Sequence, residues 1–213
     1  MEAMRVILAS SSPARLELLR RAGVHAEVLV SGVDESTVTS LSPAGLTMEL
    51  ARLKAESVET RLSTSGPTLI IGCDSMLELE GRVYGKPGSP EAAIARWYRM
   101  RGRQGVLHTG HHVIVLKGTE RMTSTRVAST TVQFADLSDA EIAAYAATGE
   151  PQHVAGGFPI DGYGGPFVTS IHGDPHNVVG LSLPLLRQML LDLGVGWQTL
   201  WTMQRRPAFT ERF

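Results

Sequence analysis

The sequence predicts an α/β protein with a single domain. Short apolar runs with strand character alternate along the chain with segments that repeat apolar residues at helical spacing. The 213 residues are 43% hydrophobic and 19% charged, and no internal repeat or low-complexity linker divides them, which suits one core. The strand-like runs cover residues 5–9, 26–30, 69–73 and 113–116.

The first strand is predicted to pass through three serines into a helix, in the stretch LASSSPARLELLRRAG. Ser12 is a good N-cap and Pro13 suits the first helical position. Leu16 and Leu19 recur at helical spacing, and Gly23 closes the helix. We therefore expect a strand–loop–helix unit at the start of the domain.

A second helix is predicted over residues 43–62, where apolar side chains form one stripe. Lys54 lies on that same face, so we expect it to point towards a functional group. Three more helices follow: one capped by Ser89, one with a capping box of Ser138 and Glu141, and one over residues 183–193. The segment 197–213 shows no periodicity and is treated as a tail that docks on the domain or on a partner.

Composition and charge limit the class of protein. Twenty basic and twenty-one acidic residues give a net charge of -1, which argues against a nucleic-acid polymer or an anionic membrane as partner. The single cysteine excludes a disulfide framework and favours the cytoplasm. We expect neither a signal peptide nor a membrane span, because no suitable apolar segment is present.

The serine-rich loop is a candidate anion site. A strand that runs straight into a helix aims free N–H groups and the positive end of the helix dipole at one point. Ser10 and Ser12 lie in this loop, and Arg15 in the first turn can add a bidentate charged contact to phosphate. The alternative is that Ser12 only caps the helix and that Arg15 is solvated.

A second candidate group lies in the segment 69–90. The apolar run is predicted to end at Asp74 and Ser75, which places a carboxylate where open α/β sheets bind ligands, or else at a simple turn. Lys86 follows Gly85, but Glu80 and Pro87 stand where a P-loop needs glycine and serine or threonine. Lys86 is therefore interpreted as an isolated phosphate-binding charge.

Two further stretches leave alternatives open. Asp34 and Glu35 follow the second strand and either hold a divalent cation or cap the next segment. The glycine-rich segment 155–168 contains Asp161 and lacks a GxGxxG pattern. Its glycines allow close approach to a flat ligand, or they serve tight turns.

Histidine and cysteine residues suggest other chemistry that we do not favour. His108, His111 and His112 lack a neighbouring ligand at zinc spacing, and strand alternation places the last two on opposite faces. Cys73 lies in an apolar strand beside an acid, which disfavours a thiolate nucleophile and favours a small core residue.

Taken together, these segments resemble the Maf family of nucleoside triphosphate pyrophosphatases, which are also described as septum-formation inhibitors. The resemblance extends to about Gly194 and implies a domain over residues 1–196. It is carried by the segments LASSSPARLELL, VDE, ARLKA, GCDSM, GKP, TGEP, AGGFPIDGYGG and GDPHNVVGLSLPLL. The family fold is a bent mixed sheet flanked by helices around a central nucleotide cleft, similar to inosine triphosphatases and commonly dimeric.

The resemblance also implies roles for individual residues. Asp74 would activate the attacking water, assisted in catalysis by Glu35 and Lys86, and Asp74 and Glu35 would hold Mg²⁺ or Mn²⁺. The triphosphate would be held by Ser10, Ser12, Arg15, Lys54 and Lys86. The products would be a nucleoside monophosphate and pyrophosphate.

Three positions depart from the family pattern and concern base specificity. Ala14 replaces the first arginine of SxSPRR, and Ser75 stands where members acting on dTTP and UTP commonly have threonine. Asp161 replaces the glutamine of those members, while the branch acting on 7-methyl-GTP has an acid in this loop. A carboxylate only accepts hydrogen bonds, which suits a guanine edge, but the base stays open.

The function expected from this resemblance is metal-dependent removal of modified or surplus nucleotides in the cytoplasm by a homodimer. The alternative is a non-enzymatic regulator of septation that binds a divisome protein and keeps the pocket as a relic. A relic would be expected to lose the charged chemical positions, and Glu35, Asp74 and Lys86 are all present.

Overall fold

A seven-stranded mixed sheet runs through the chain in the computed structural model, which describes residues 3–38, 42–63 and 66–201. In spatial order its main path is β2-β1-β3-β5-β6-β7, and β4 pairs with one end of β3. The strands β1 to β3 are parallel neighbours and every other pairing is antiparallel. The strands are β1 (Arg5–Leu8), β2 (Glu27–Val28), β3 (Thr68–Leu79), β4 (Arg82–Tyr84), β5 (Gln104–Lys117), β6 (Glu120–Phe134) and β7 (Val168–His172).

Six helices flank the sheet, and most of them begin where their sequence signals predict. They are α1 (Pro13–Arg21), α2 (Pro43–Glu59), α3 (Pro90–Met100), α4 (Asp139–Ala147), α5 (Pro175–Val179) and α6 (Leu183–Asp192). The side chains of Ser12 and Ser89 accept hydrogen bonds as N-caps, and Ser138 forms the predicted capping box with Glu141. A mixed sheet flanked by helices is thus confirmed, although α2 ends three residues before the predicted Leu62.

The strand predictions were wrong about length. The run 69–73 is the first half of β3, so Asp74 lies in the middle of a strand and not at its end. The run 113–116 is the end of β5. The strands β4, β6 and β7 and the helix α5 were not predicted. In β6, small polar residues alternate along a partly open face, so its sequence resembles a loop.

On one face of β3 the apolar core divides into two clusters, while a third cluster with Ile70 and Val58 packs α2 against the opposite face. Leu69, Ile71 and Cys73 pack with α1 and α6, whereas Leu77 and Leu79 pack with α3 and α4. Between these two sets lie the polar residues Asp74 and Ser75, and a cleft opens at that point. Asp74 therefore lies on a strand whose two ends are packed in these two clusters.

Two glycines bring α2 close to the other face of the sheet. A Cβ atom at Gly72 would lie 2.2 Å from the carbonyl oxygen of Ala51, and one at Gly110 would lie 2.1 Å from that of Thr47. Since such contacts are too short for any side chain, only glycine allows this packing. The close approach carries Lys54, one turn along α2, down to Asp74.

The start of the predicted tail packs on the domain. Trp197–Leu200 forms a short 3₁₀ helix, Leu200 is buried in the core, and Trp201 bridges to Val24. The rest of the tail, residues 202–213, lies outside the described residues, so the boundary at residue 196 stays a prediction. None of the helices in the described ranges has the length and apolar character needed to cross a membrane.

Candidate functional site

The cleft beside Asp74 has a volume of about 820 Å³. Its lining comes from the serine-rich loop, the loop 30–35, Lys54 of α2, the centre of β3, the turn after β4, Leu107 of β5, the segment 150–161 and the end of α5. All ten residues named as site candidates line it: Ser10, Ser12, Ala14, Arg15, Glu35, Lys54, Asp74, Ser75, Lys86 and Asp161. Segments distant in sequence therefore meet at one cavity.

Lys54 links the two candidate acidic residues. Its Nζ lies 2.5 Å from Oδ1 of Asp74 and 2.6 Å from Oε1 of Glu35. The side chain of Asp74 is only 9% exposed, whereas that of Glu35 is 53% exposed. The predicted position of Lys54 on the buried face of α2 is confirmed, and it points at the carboxylate in the centre of the cleft.

Asp74 keeps one oxygen available for another group. Its Oδ2 is buried and has no hydrogen-bond partner within the described part of the chain. Burial raises the pKa of Asp74 above its usual range, and the neighbouring Lys54 ammonium opposes that shift. A buried carboxylate with an unpaired oxygen beside a cleft can accept a proton from water or bind a cation.

Arg15 occupies a position that the sequence did not predict. It lines the cleft but is not solvated, because its side chain is buried and hydrogen-bonded to protein oxygens. Its Nε donates to the carbonyl of Gly180 at 2.7 Å, and Nη1 donates to Ser10 Oγ and the Cys73 carbonyl at 2.9 Å each. Its Nη2 donates to Ser75 Oγ at 2.9 Å. Arg15 thus joins the serine loop, β3 and the end of α5.

The alternatives left open for the serine and acidic loops are now resolved in part. Ser12 caps α1, while Ser10 receives hydrogen bonds from Arg15 and from the Ser12 amide. Asp34 caps the 3₁₀ helix that begins at Glu35, and Glu35 itself pairs with Lys54. Capping and site formation are therefore divided between neighbouring residues in both loops.

The turn that carries Lys86 is tied to the rest of the cleft wall. The carbonyl of Gly85 accepts hydrogen bonds from Arg96 Nη1 at 2.5 Å and from the Gly156 amide at 3.2 Å. Lys86 is exposed, so its ammonium can reach a charged ligand in the cleft. Arg96 was not predicted, because its role is to hold a backbone carbonyl and no sequence motif marks such a contact.

Glu150 also lines the cleft and was missed as a functional residue. It is fixed by hydrogen bonds from two backbone amides and from Tyr145. The available signal was the pair of glycines at positions 162 and 164, which mark a close backbone approach.

Cys73 is buried in the core, and the side chains of His108 and His112 are hydrogen-bonded to neighbouring residues. Burial raises the pKa of Cys73 to about 11, which agrees with its interpretation as a core residue and not as a nucleophile. His108 pairs with Glu78 and Ser129, and His112 contacts Thr125.

Because His111 is buried, we expect the stability of the fold to decrease at acidic pH. Its Nε2 accepts the Ser182 amide hydrogen, and burial lowers its pKa to about 4 from a usual 6.5. A lowered histidine pKa stabilises the fold fully above pH 6.5, and this contribution is lost as the pH falls towards 4. Between pH 7.5 and 5 we expect His111 to account for a loss of about 2 kcal/mol in the free energy of unfolding. Urea titrations at both pH values should show this loss in the wild type and a smaller one in His111→Gln.

Two carboxylates in this cleft have the chemistry to hold a divalent metal. The free oxygen of Asp74 and the exposed carboxylate of Glu35 are hard oxygen ligands that lie against the same ammonium. No group of three or more His, Cys, Asp or Glu side chains suited to a metal occurs among the residues that the structure describes. Mg²⁺ commonly binds through one or two carboxylates and completes its coordination with phosphate oxygens and water, so the pair fits.

The chain is similar to a known family over most of its length. The family model described as Maf-like protein matches residues 5–193. A protein of Salinispora tropica named nucleoside triphosphate pyrophosphatase is 56% identical over 201 residues, which cover 93% of this chain and 88% of the relative. A protein of Cutibacterium acnes with the same name is 53% identical over 92% of this chain and 93% of its own.

A cyanobacterial relative and one solved structure complete the comparison. The protein of Thermosynechococcus vestitus, again named nucleoside triphosphate pyrophosphatase, is 54% identical over 88% of this chain and 93% of its own. The Ham1 protein of Staphylococcus aureus covers 62% of this chain and 72% of its own, with a TM-score of 0.37 and 16% identity. A structural likeness at that level supports no conclusion, so the sequence relatives carry the comparison.

Proposed function

This chain belongs to the Maf family, and from that premise we propose that it hydrolyses nucleoside triphosphates to a monophosphate and pyrophosphate. Relatives that share about half of its sequence are named nucleoside triphosphate pyrophosphatases. The observation that carries the proposal is Asp74, a buried carboxylate with one unpaired oxygen in a cleft that also contains Lys54 and Lys86.

The cleft offers the groups that a triphosphate needs. Phosphoryl transfer depends mainly on positioning the reactants and neutralising phosphate charge. Lys86 supplies an exposed ammonium, and the serine loop before α1 presents hydroxyl groups and the positive end of a helix dipole. Lys54 adds a second ammonium beside the catalytic carboxylate.

Asp74 is proposed to act as the general base. Its Oδ2 accepts a proton from a water molecule, and the oxygen of that water bonds to the α phosphorus of the nucleotide. The bridging phosphorus–oxygen bond breaks, and pyrophosphate leaves with the bonding electrons. The proton then passes from Asp74 to solvent, so no covalent intermediate on the protein is needed.

We propose that Glu35 and phosphate oxygens would hold Mg²⁺ or Mn²⁺, and that Asp74 would face the ion through the water molecule that it deprotonates, so its Oδ2 stays free to accept the proton. When bound, such an ion neutralises phosphate charge and lowers the pKa of a coordinated water. Glu35 suits this role because its carboxylate is half-exposed beside Lys54, where a ligand can reach it. We also propose that the protein is a homodimer, that it is located in the cytoplasm and that it prefers one nucleotide base over the others.

The decisive experiment measures pyrophosphate release from UTP, dTTP, CTP, GTP, ITP and 7-methyl-GTP, with Mg²⁺, with Mn²⁺ and with EDTA. Release from at least one nucleotide that EDTA abolishes is the expected result. Release that persists in EDTA would overturn the metal requirement. Folded protein that binds a nucleotide but releases no pyrophosphate would overturn the enzymatic proposal and favour the septation regulator.

The Lys54–Asp74 pair predicts the position of the acid limb of the pH–rate profile. The base must be ionised, and burial raises the pKa of Asp74, so activity should fall at a pH above the usual aspartate range. In Lys54→Met the opposing ammonium is removed, so we expect the limb to move to higher pH by about one unit or more. The measurement is kcat/KM as a function of pH.

Arg52→Met provides the matched control for that measurement. Arg52 lies on the same helix and pairs with Glu49 and Glu56 outside the cleft. Its removal should leave the acid limb in place. An unmoved limb in Lys54→Met would contradict the assignment of Asp74 as the titrating base.

A further inference from the structure

The carboxylate of Glu150 lies against the backbone of the glycine-rich segment. Its Oε1 accepts the Tyr163 amide hydrogen at 2.9 Å, and its Oε2 accepts that of Gly164 at 2.9 Å. Oε2 also accepts a hydrogen bond from the Tyr145 hydroxyl at 3.0 Å. One side chain thus fixes two consecutive amides just after Asp161.

Two glycines provide the space for this contact. A Cβ atom at Gly162 would lie 2.0 Å from Oε1 of Glu150, and one at Gly164 would lie 2.6 Å from the Tyr145 hydroxyl. Neither glycine has a positive φ, so the requirement for glycine comes from the close approach and not from backbone conformation. Glycine at these two positions is therefore explained by the close approach of the Glu150 carboxylate and the Tyr145 hydroxyl.

Tyr145 connects this contact to the core. Its ring packs edge-on against Trp97 and Phe167, with centroid distances of 5.6 and 5.1 Å. Burial and the neighbouring Glu150 raise the pKa of Tyr145, so its hydroxyl stays a neutral donor. The position of Glu150 is consequently set by a rigid aromatic cluster.

Asp161 is the side chain that this arrangement places. It lines the cleft and directly precedes Gly162, which lies against the Glu150 carboxylate. The Tyr163 amide, which donates to Glu150, follows two residues after Asp161.

Asp74 and Glu35 are compensated by the Lys54 ammonium, whereas Asp161 makes no ion pair within the described part of the chain. Its uncompensated charge would repel phosphate, which favours the nucleoside as the part of the ligand that Asp161 faces. A hydrogen-bonding group can discriminate between bases only if its position is fixed.

We propose that Glu150 is a positioning residue that sets nucleotide-base selectivity by holding the Asp161 segment against the cleft. The inference rests on the proposed pyrophosphatase function. Protein donors take three of the roughly four acceptor positions of the Glu150 carboxylate, so we assign it to holding the segment and not to the reacting atoms. Its effect should therefore appear in KM and selectivity and not in the chemical step.

The test compares wild type with Glu150→Ala, Glu150→Gln and Tyr145→Phe on the same six triphosphates. We expect Glu150→Ala to raise KM for the preferred nucleotide about tenfold, with kcat changed less than about threefold. The ratio of kcat/KM between the best and the worst nucleotide should fall about tenfold. Glu150→Gln and Tyr145→Phe, which keep part of the contact, should give intermediate ratios.

Glu141→Gln is the matched control. Glu141 also accepts a backbone amide hydrogen, but it does so in the capping box of α4, away from the cleft. It should change the melting temperature without changing selectivity. A uniform loss of kcat/KM for all six nucleotides in the Glu150 variants, as for a general loss of stability, would overturn the inference.

Hydrogen exchange gives a readout that needs no activity. The amides of Tyr163 and Gly164 should exchange at least about tenfold faster in Glu150→Ala than in wild type, and those of β3 should not. Unchanged exchange at both amides would overturn the positioning role. An inactive wild type with this exchange pattern would instead refute the pyrophosphatase proposal and leave the positioning role intact.

Discussion

Replacing Asp74 by asparagine is expected to lower the rate of pyrophosphate release by about 10³-fold, because the one carboxylate that is buried among the described residues lining the cleft is lost as a proton acceptor. The substitution keeps the shape of the side chain and removes one negative charge. Binding of a polyanionic nucleotide without turnover should therefore be retained or become tighter. Stopped-flow release and calorimetric binding of the same protein measure the two effects separately.

Glu78→Gln is the control for this variant. Glu78 lies on β3 four residues after Asp74, on the same face, and its partner is His108. It does not line the cleft, so its amide should leave turnover close to that of the wild type. Full activity in Asp74→Asn would refute the assignment of the base. Loss of both nucleotide binding and turnover would indicate a structural role for the carboxylate.

Replacing Arg15 by alanine should have the largest effect on stability. The substitution removes four buried hydrogen bonds and leaves oxygen acceptors of Gly180, Cys73 and Ser75 without that donor. Each buried polar group left unsatisfied costs roughly 1 to 3 kcal/mol, so we expect a loss of at least about 3 kcal/mol in the free energy of unfolding. Urea or thermal unfolding of the protein without nucleotide measures it.

Arg20→Ala separates this effect from a general effect of losing an arginine on α1. Arg20 is exposed and pairs with Glu17 within the same helix, so its removal should change stability little. Equal stability of Arg15→Ala and wild type would mean that Arg15 acts on the ligand and not on the fold. Reduced stability without nucleotide supports the role as a link between segments.

Local signals in the sequence predicted the α-helices other than α5 and the members of the site. Caps such as Ser12, Ser89 and Ser138 act within one turn of chain, so their effect can be read from neighbouring residues. The candidate residues were selected by type, by spacing and by family resemblance, and all of them line one cleft. Their individual roles stay predictions.

Contacts between distant segments could not be predicted. Arg15 was expected to bind phosphate or solvent, but its partners Cys73 and Gly180 are remote in sequence. Asp74 was placed at a strand end, because Asp74 and Ser75 interrupt the apolar run, and only the pairing with β5 shows that the strand continues beyond them. Tertiary pairing decided both cases, and no local pattern encodes it.

The continuity of β3, β5 and β6 through both halves of the core has a thermodynamic consequence. Neither half possesses a sheet of its own, so one cannot melt while the other keeps its hydrogen-bonded ladder. Unfolding of the described part of the chain should be cooperative. A ligand in the cleft then raises the stability of the whole domain by mass action, and the midpoint of a single transition reports its occupancy.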